Sequence, residues 1–165
     1  MAKDQSFDVV SQVDMQEIDN AAQQASKELL QRYDLKDTGS TIAFDRSAST
    51  LSIHAPSDFV LGQVKDVLAT KLVRRGIDLK AVSWGKNETA SGGSVRTTGK
   101  VVNGIEVEIA RRISKDVRDG KYKVKVQIEG DQVRVFSPSR DELQTVITLL
   151  KSQDYGIPLQ FTNYR

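Results

Sequence analysis

The chain has 165 residues, with 24 Lys and Arg against 22 Asp and Glu and no cysteine. That length allows one ordinary domain or two small ones, and the missing cysteines exclude disulfides, thiol catalysis and cysteine-held zinc or iron. No stretch approaches the roughly 18 apolar residues that span a bilayer, and the opening Met1-Ala-Lys-Asp-Gln-Ser-Phe-Asp8 lacks the apolar core of a secretory signal, so a soluble cytoplasmic protein without membrane contact is expected.

Ser6-Phe-Asp-Val-Val10 reads as a short strand. Asp14-Met-Gln-Glu17 is a capping box, and Met15, Ile18, Ala22, Ala25, Leu29 and Tyr33 follow at three- and four-residue spacing, which predicts a helix with one buried stripe. Thr41–Asp45 and Thr50–Ala55 alternate with period two around a polar turn and form a hairpin. Pro56-Ser57-Asp58 opens a second helix with Val60, Val64, Val67, Leu68 and Leu72 inward. Gly76 closes it, and Ile77–Trp84 reads as the next strand.

After the glycine-rich break Ser91-Gly92-Gly93-Ser94 the order repeats. A weak strand runs around Arg96–Val102, a helix from about Asn103 to Asp119 carries Ile105, Ile109, Ile113 and Val117, and Gly120 stops it. Tyr122–Glu129 alternates without a break, turns at Gly130-Asp131 and returns as Gln132–Ser137. Ser139-Arg-Asp-Glu142 is another capping box, its helix turns Leu143, Val146, Ile147 and Leu150 inward, and Ile157–Tyr164 closes the unit, with Pro158 marking an edge strand or a strand start.

Strand–helix–hairpin–helix–strand thus runs through the chain twice, and such a unit buries one sheet face under its helices and leaves the other open. The domains expected are 1–90 and 96–165 with a linker at 91–95. The strand at 96–102 and the N-terminal strand are each also able to complete the sheet of the other unit. Alternation places Lys123, Lys125, Gln127, Arg134, Phe136, Gln160, Thr162 and Tyr164 on the open face of the second unit, a basic surface with aromatics that suits nucleotides. The open face of the first unit would show Asp8, Val10, Thr41, Ala43, Asp45, Ser52, His54, Lys80, Val82 and Trp84, and a cleft between the two sheets follows as the expected site. Before Gly93 there are 11 basic and 13 acidic residues, and from Gly93 on there are 13 and 9, so the halves carry about −2 and +4.

Catalytic chemistry finds little support. The lone His54 makes no histidine metal cluster, and Asp14, Glu17 and Glu142 are accounted for as helix caps. Gly93-Ser-Val-Arg-Thr-Thr-Gly-Lys100 has five residues between its glycines rather than four, and Val101 stands where a phosphate loop needs Ser or Thr, so it reads as a flexible linker. A binding protein that is no enzyme, with neither metal nor cofactor, is expected.

Ser6-Phe-Asp-Val-Val-Ser-Gln-Val-Asp14, Arg32-Tyr-Asp34, Lys71-Leu-Val-Arg-Arg-Gly-Ile-Asp78, Gly104-Ile105, Gly130-Asp-Gln-Val-Arg-Val135, Arg140-Asp-Glu-Leu-Gln144 and Pro158-Leu-Gln-Phe-Thr-Asn-Tyr-Arg165 occur in that order. In these segments the chain resembles the YajQ family of bacterial nucleotide-binding proteins nearly end to end. Family members commonly carry a glycine- and lysine-bearing loop where this chain has Phe136-Ser-Pro-Ser139. The resemblance implies an α+β fold of two ferredoxin-like (βαββαβ) domains and binding of a nucleotide or RNA. For some members it also implies cyclic di-GMP sensing, a second-messenger signal passed to a transcription regulator. For such a dinucleotide, Lys71, Arg74, Arg75, Arg134, Arg140 and Arg165 are candidates to hold phosphate or guanine. Trp84, Phe136 and Tyr164 are candidates to stack, and Asp14 or Asp78 to accept from guanine N1 and N2. A cyclic di-GMP receptor is the expected function. The alternatives are a single-stranded RNA or tRNA binder using the open sheets, and a protein-interaction adaptor using the apolar surface near Val82 and Trp84.

Overall fold

The computed structural model describes residues 4–165. Its strands are β1 (Gln5–Val10), β2 (Thr41–Asp45), β3 (Thr50–Ala55), β4 (Val82–Trp84), β5 (Glu88–Thr89), β6 (Val95–Val101), β7 (Lys125–Glu129), β8 (Gln132–Ser137) and β9 (Gln160–Thr162). The helices are α1 (Met15–Gln31), α2 (Asp58–Arg74), α3 (Val107–Asp119) and α4 (Arg140–Ser152). One antiparallel sheet has the order β7-β8-β1-β9, the other β2-β3-β6-β4 with β5 added beside β6. Both are α+β units of the ferredoxin-like type, each with two helices on one sheet face.

The chain does not divide at 91–95. One compact unit is Met1–Gln12 with Asn103–Arg165, and the other is Val13–Val102. The first strand of each repeat lies in the sheet of the other repeat: β1 pairs with β8 and β9, while β6 pairs with β3 and β4. The domains 1–90 and 96–165 are therefore replaced by a discontinuous unit that holds an uninterrupted one as an insertion. The segment read as a flexible linker is corrected as well, because Val95–Val101 is an interior strand with Thr97, Gly99 and Val101 buried and Arg96, Thr98 and Lys100 exposed.

In the inserted unit Ile18, Leu29, Leu51, Ile53, Leu61, Val64, Leu68 and Leu72 form the centre of the core. Asp14 caps α1 by accepting from Gln16 N–H at 2.9 Å. The helix ends at Gln31, short of the apolar spacing that runs to Tyr33, because Arg32 adopts extended backbone with ψ 129°. Tyr33 is consequently outside the core at 91 % exposure, and Leu35 takes the buried place instead. Ser57 caps α2, and Gly76 at φ +79° turns the chain out of it. A single 3-10 turn at Leu79–Ala81 then shifts the phase of the following strand. As a result Val82 is buried and Trp84 packs on the helix side, contrary to the outward placement expected of both.

In the discontinuous unit Phe7 and Val9 of β1 enter the same core as Val133, Val135, Ile113, Val146 and Leu150. Phe7 is fully buried, which stabilises by about 1.5–3 kcal/mol and ties the N-terminal strand to elements more than a hundred residues away. Ser139 caps α4 by accepting from Glu142 N–H, and the hairpin turn places Gly130 at φ +59°. The edge position of β9 suits Pro158 just before it, whose carbonyl accepts from the Ser11 hydroxyl.

Candidate functional site

Register fixes which side chains share the open face of the discontinuous unit. Lys125, Phe136 and Ser6 lie in one row across the strands, and Gln127, Arg134, Asp8 and Thr162 lie in the next. Phe7, Val133 and Val135 point the other way, into the core.

The second row is closed on itself. Arg134 donates from Nε to Asp8 Oδ1 at 2.7 Å and from Nη2 to Asp8 Oδ2 at 3.3 Å, and its Nη1 lies 3.3 Å from Glu129 Oε2. Asn163 Nδ2 also donates to Asp8 Oδ2 at 2.7 Å. Asp8 is only 3 % exposed. The hydrogen bond from Arg134 holds its carboxyl below the ordinary value of 3.8 against the opposing effect of burial, assisted by Asn163 and by the charges of Arg134 and Arg165. All three guanidinium nitrogens of Arg134 are thus engaged within the sheet.

The first row is open. Lys125 stands directly across from Phe136, and with Lys123, Tyr122, Pro138 and Asp4 they line a groove of about 370 Å³. Both lysines are exposed and Phe136 is half-buried. The groove therefore offers an aromatic edge or face beside two cations, a combination that neutralises phosphate and stacks a base.

The remaining candidates separate. Tyr164 leaves the open face because Asn163 takes a left-handed backbone at φ +57°, which breaks the strand alternation and brings the Tyr164 ring to 6.2 Å from Phe7. Arg165 stays next to this face, paired through its backbone with Ser6 in both directions. Arg140 is exposed in the first turn of α4. In the inserted unit, Lys71, Arg74 and Arg75 lie in a groove on the helices, away from that unit's open sheet. Asp14 and Asp78 are occupied as caps, Asp78 accepting from Lys80 N–H at 2.9 Å. Trp84 carries Lys65 over its ring at 4.9 Å, and the apolar adaptor surface expected near Val82 and Trp84 is withdrawn into the core.

Asp8 and Asn163 are not legible as partners of Arg134 because they lie on distant parts of the chain, whereas Glu129 stands in the adjoining strand of the same hairpin and continues the outward alternation of Lys125 and Gln127. Among the described residues no three His, Asp or Glu side chains gather as a metal-binding group, and no helix is long and apolar enough to cross a membrane.

Two helix-covered antiparallel sheets, one with a lysine–aromatic groove on its open face, define a ferredoxin-like binding architecture. The chain belongs to the YajQ family: the family description "Nucleotide-binding protein YajQ-like" matches residues 5–165. It is 50 % identical over its full length, and over all of the relative, to a "Nucleotide-binding protein" of Alkaliphilus oremlandii (strain OhILAs). It is 48 % identical over 97 % of both chains to a "Nucleotide-binding protein" of Chloroherpeton thalassium (strain ATCC 35110 / GB-78), and 48 % identical over both full lengths to "Nucleotide-binding protein Synpcc7942_0865" of Synechococcus elongatus (strain ATCC 33912 / PCC 7942 / FACHB-805).

Proposed function

We propose that this chain is a non-catalytic, cytoplasmic nucleotide-binding protein that uses the open face of its discontinuous unit, without metal or cofactor. The observation that carries the reading is the groove that Lys123 and Lys125 line together with Phe136. The relatives' names support a nucleotide as the ligand. Cyclic di-GMP is the ligand to test first, with the two lysines meeting phosphate, Phe136 stacking a guanine and Arg165 available to fork onto guanine O6 and N7. Bound ligand would then change the affinity for a transcription-regulator partner, by stabilising the conformation that such a partner selects.

One observation favours single-stranded RNA as a second reading. Arg134, the central guanidinium of the face, is consumed by Asp8 and Glu129, so what the groove itself offers is charge and stacking rather than base-edge readout.

Isothermal titration with cyclic di-GMP, cyclic di-AMP, GTP and a short single-stranded RNA at low and physiological salt separates these readings. Guanine-selective binding that persists at the higher salt and weakens at least tenfold in Lys123→Ala/Lys125→Ala and in Phe136→Ala is expected of a messenger receptor. RNA binding that falls steeply with salt and ignores guanine content assigns the second reading. Binding of either ligand unchanged in those variants would remove the groove from the function.

A further inference from the structure

The inserted unit carries a second concentration of positive charge that the nucleotide reading does not use. Gln24, Lys27, Glu28 and Gln31 succeed one another at helical spacing on α1, and Lys71, Arg74 and Arg75 do so on α2. The two faces line a groove of about 570 Å³. Two of its four cations are held in place: Lys71 Nζ lies 3.0 Å from Glu28 Oε1 with its side chain 14 % exposed, and Arg75 Nη1 lies 3.4 Å from Glu17 Oε2. Lys27 and Arg74 are exposed and have no ion-pair partner among the described residues.

Charge bookkeeping decides whether these are ordinary solvated helix faces. Four cations against Glu28 and Glu17 leave a surplus of two positive charges. The C-termini of α1 and α2, at Gln31 and Arg74, each add a partial charge of about −0.5, which together offset about one cation and leave about one uncompensated. The surplus lies in an open, shallow groove between the two helices, where cations that repel one another gain from a shared anion. From Gln24 to Gln31 the groove runs about 10 Å along α1, long enough for more than one phosphate. The amides at its two ends add neutral donors, and Arg74 supplies a guanidinium fork that is not already committed.

We infer that the α1–α2 groove is an anion site for linked phosphates, separate from the lysine–aromatic groove and independent of the ligand bound there. Linked phosphates occur both in free polyphosphate groups and in a nucleic acid backbone, and the two sources are separable by experiment. Tripolyphosphate, inorganic phosphate and a short single-stranded oligonucleotide are titrated against the full chain at physiological salt. The same titrations are run on Lys27→Glu/Arg74→Glu and on Lys123→Ala/Lys125→Ala. Both altered residues of the first variant are exposed and unpaired, and unchanged Trp84 emission verifies its fold. Saturable tripolyphosphate binding, tighter than inorganic phosphate, at least tenfold weaker in Lys27→Glu/Arg74→Glu and unchanged in Lys123→Ala/Lys125→Ala is the expected result. The same variant pattern with the oligonucleotide alone would assign the groove to a nucleic acid backbone. Absence of saturable binding by all three probes, or binding indifferent to the charge reversal, would overturn the site without touching the reading of the other unit.

Discussion

Asp8 is a carboxylate almost without solvent in the middle of a sheet, and it is tolerated because Arg134 and Asn163 together return the hydrogen bonds that water would have given. Removing it leaves a guanidinium that is itself only 20 % exposed with its Nε and Nη2 unmet and only Glu129 still paired to it. Asp8→Ala is expected to destabilise the discontinuous unit by about 2–3 kcal/mol, measured as a shift in the urea midpoint at pH 7. The pH dependence has a definite sign. Because the folded carboxyl titrates below its ordinary value, its contribution is complete above about pH 4 and disappears as the pH falls through the lower folded value. Wild type should therefore lose more stability than Asp8→Ala between pH 5 and pH 2.5; parallel losses would mean that the pair contributes nothing. The sequence disclosed Arg134 as outward-facing, yet a residue's direction says nothing about its partner when that partner is 126 positions away.

At the scale of elements, what periodicity could reach was largely legible. Helices α1, α2 and α4, their caps at Asp14, Ser57 and Ser139, and both hairpins lie where spacing and turn residues put them. By contrast, α3 begins at Val107 rather than near Asn103 and leaves Ile105 buried ahead of it. The failures are local events that periodicity does not encode: an early helix end that exposes Tyr33, a 3-10 turn that reverses β4, and a left-handed Asn163 that turns Tyr164 away. The reversal of β4 has a testable corollary. Trp84 can lie on the helix side only because its cross-strand neighbour is Gly99, where an added Cβ would stand 2.7 Å from Val82 and 2.8 Å from the indole. Gly99→Ala should cost about 1–3 kcal/mol and displace the ring from beneath Lys65. The chain's single tryptophan makes that visible as a change in emission, and an unaltered spectrum with unaltered stability would contradict this packing.

For the whole molecule, the sequence showed two copies of one pattern and left open which strands complete which sheet, because pairing over such distances is set by packing rather than by local propensity. The actual arrangement makes the two units unequal in what they need. Residues 13–102 hold every strand of their own sheet, whereas residues 103–165 lack β1 and with it the fully buried Phe7 and Val9. Fragment 13–102 is expected to unfold cooperatively in urea by far-UV circular dichroism. Fragment 103–165 should show no such transition unless residues 1–12 are joined to it beyond Arg165 by a short flexible linker, a connection made plausible by the backbone pairing of Arg165 with Ser6. Independent cooperative folding of 103–165 would deny β1 its place in that core.

The exchange of strands also sets a timetable for a chain that emerges from the ribosome one residue at a time. β1 is made first, yet its neighbours β8 and β9 are made last. The inserted unit can be complete while Phe7 and Val9 still wait for their core, so an apolar strand with free edges persists through most of synthesis. The charged and polar residues that alternate with it, Asp8 above all, are of the kind that disfavours pairing of such a waiting segment with the same segment of another nascent chain.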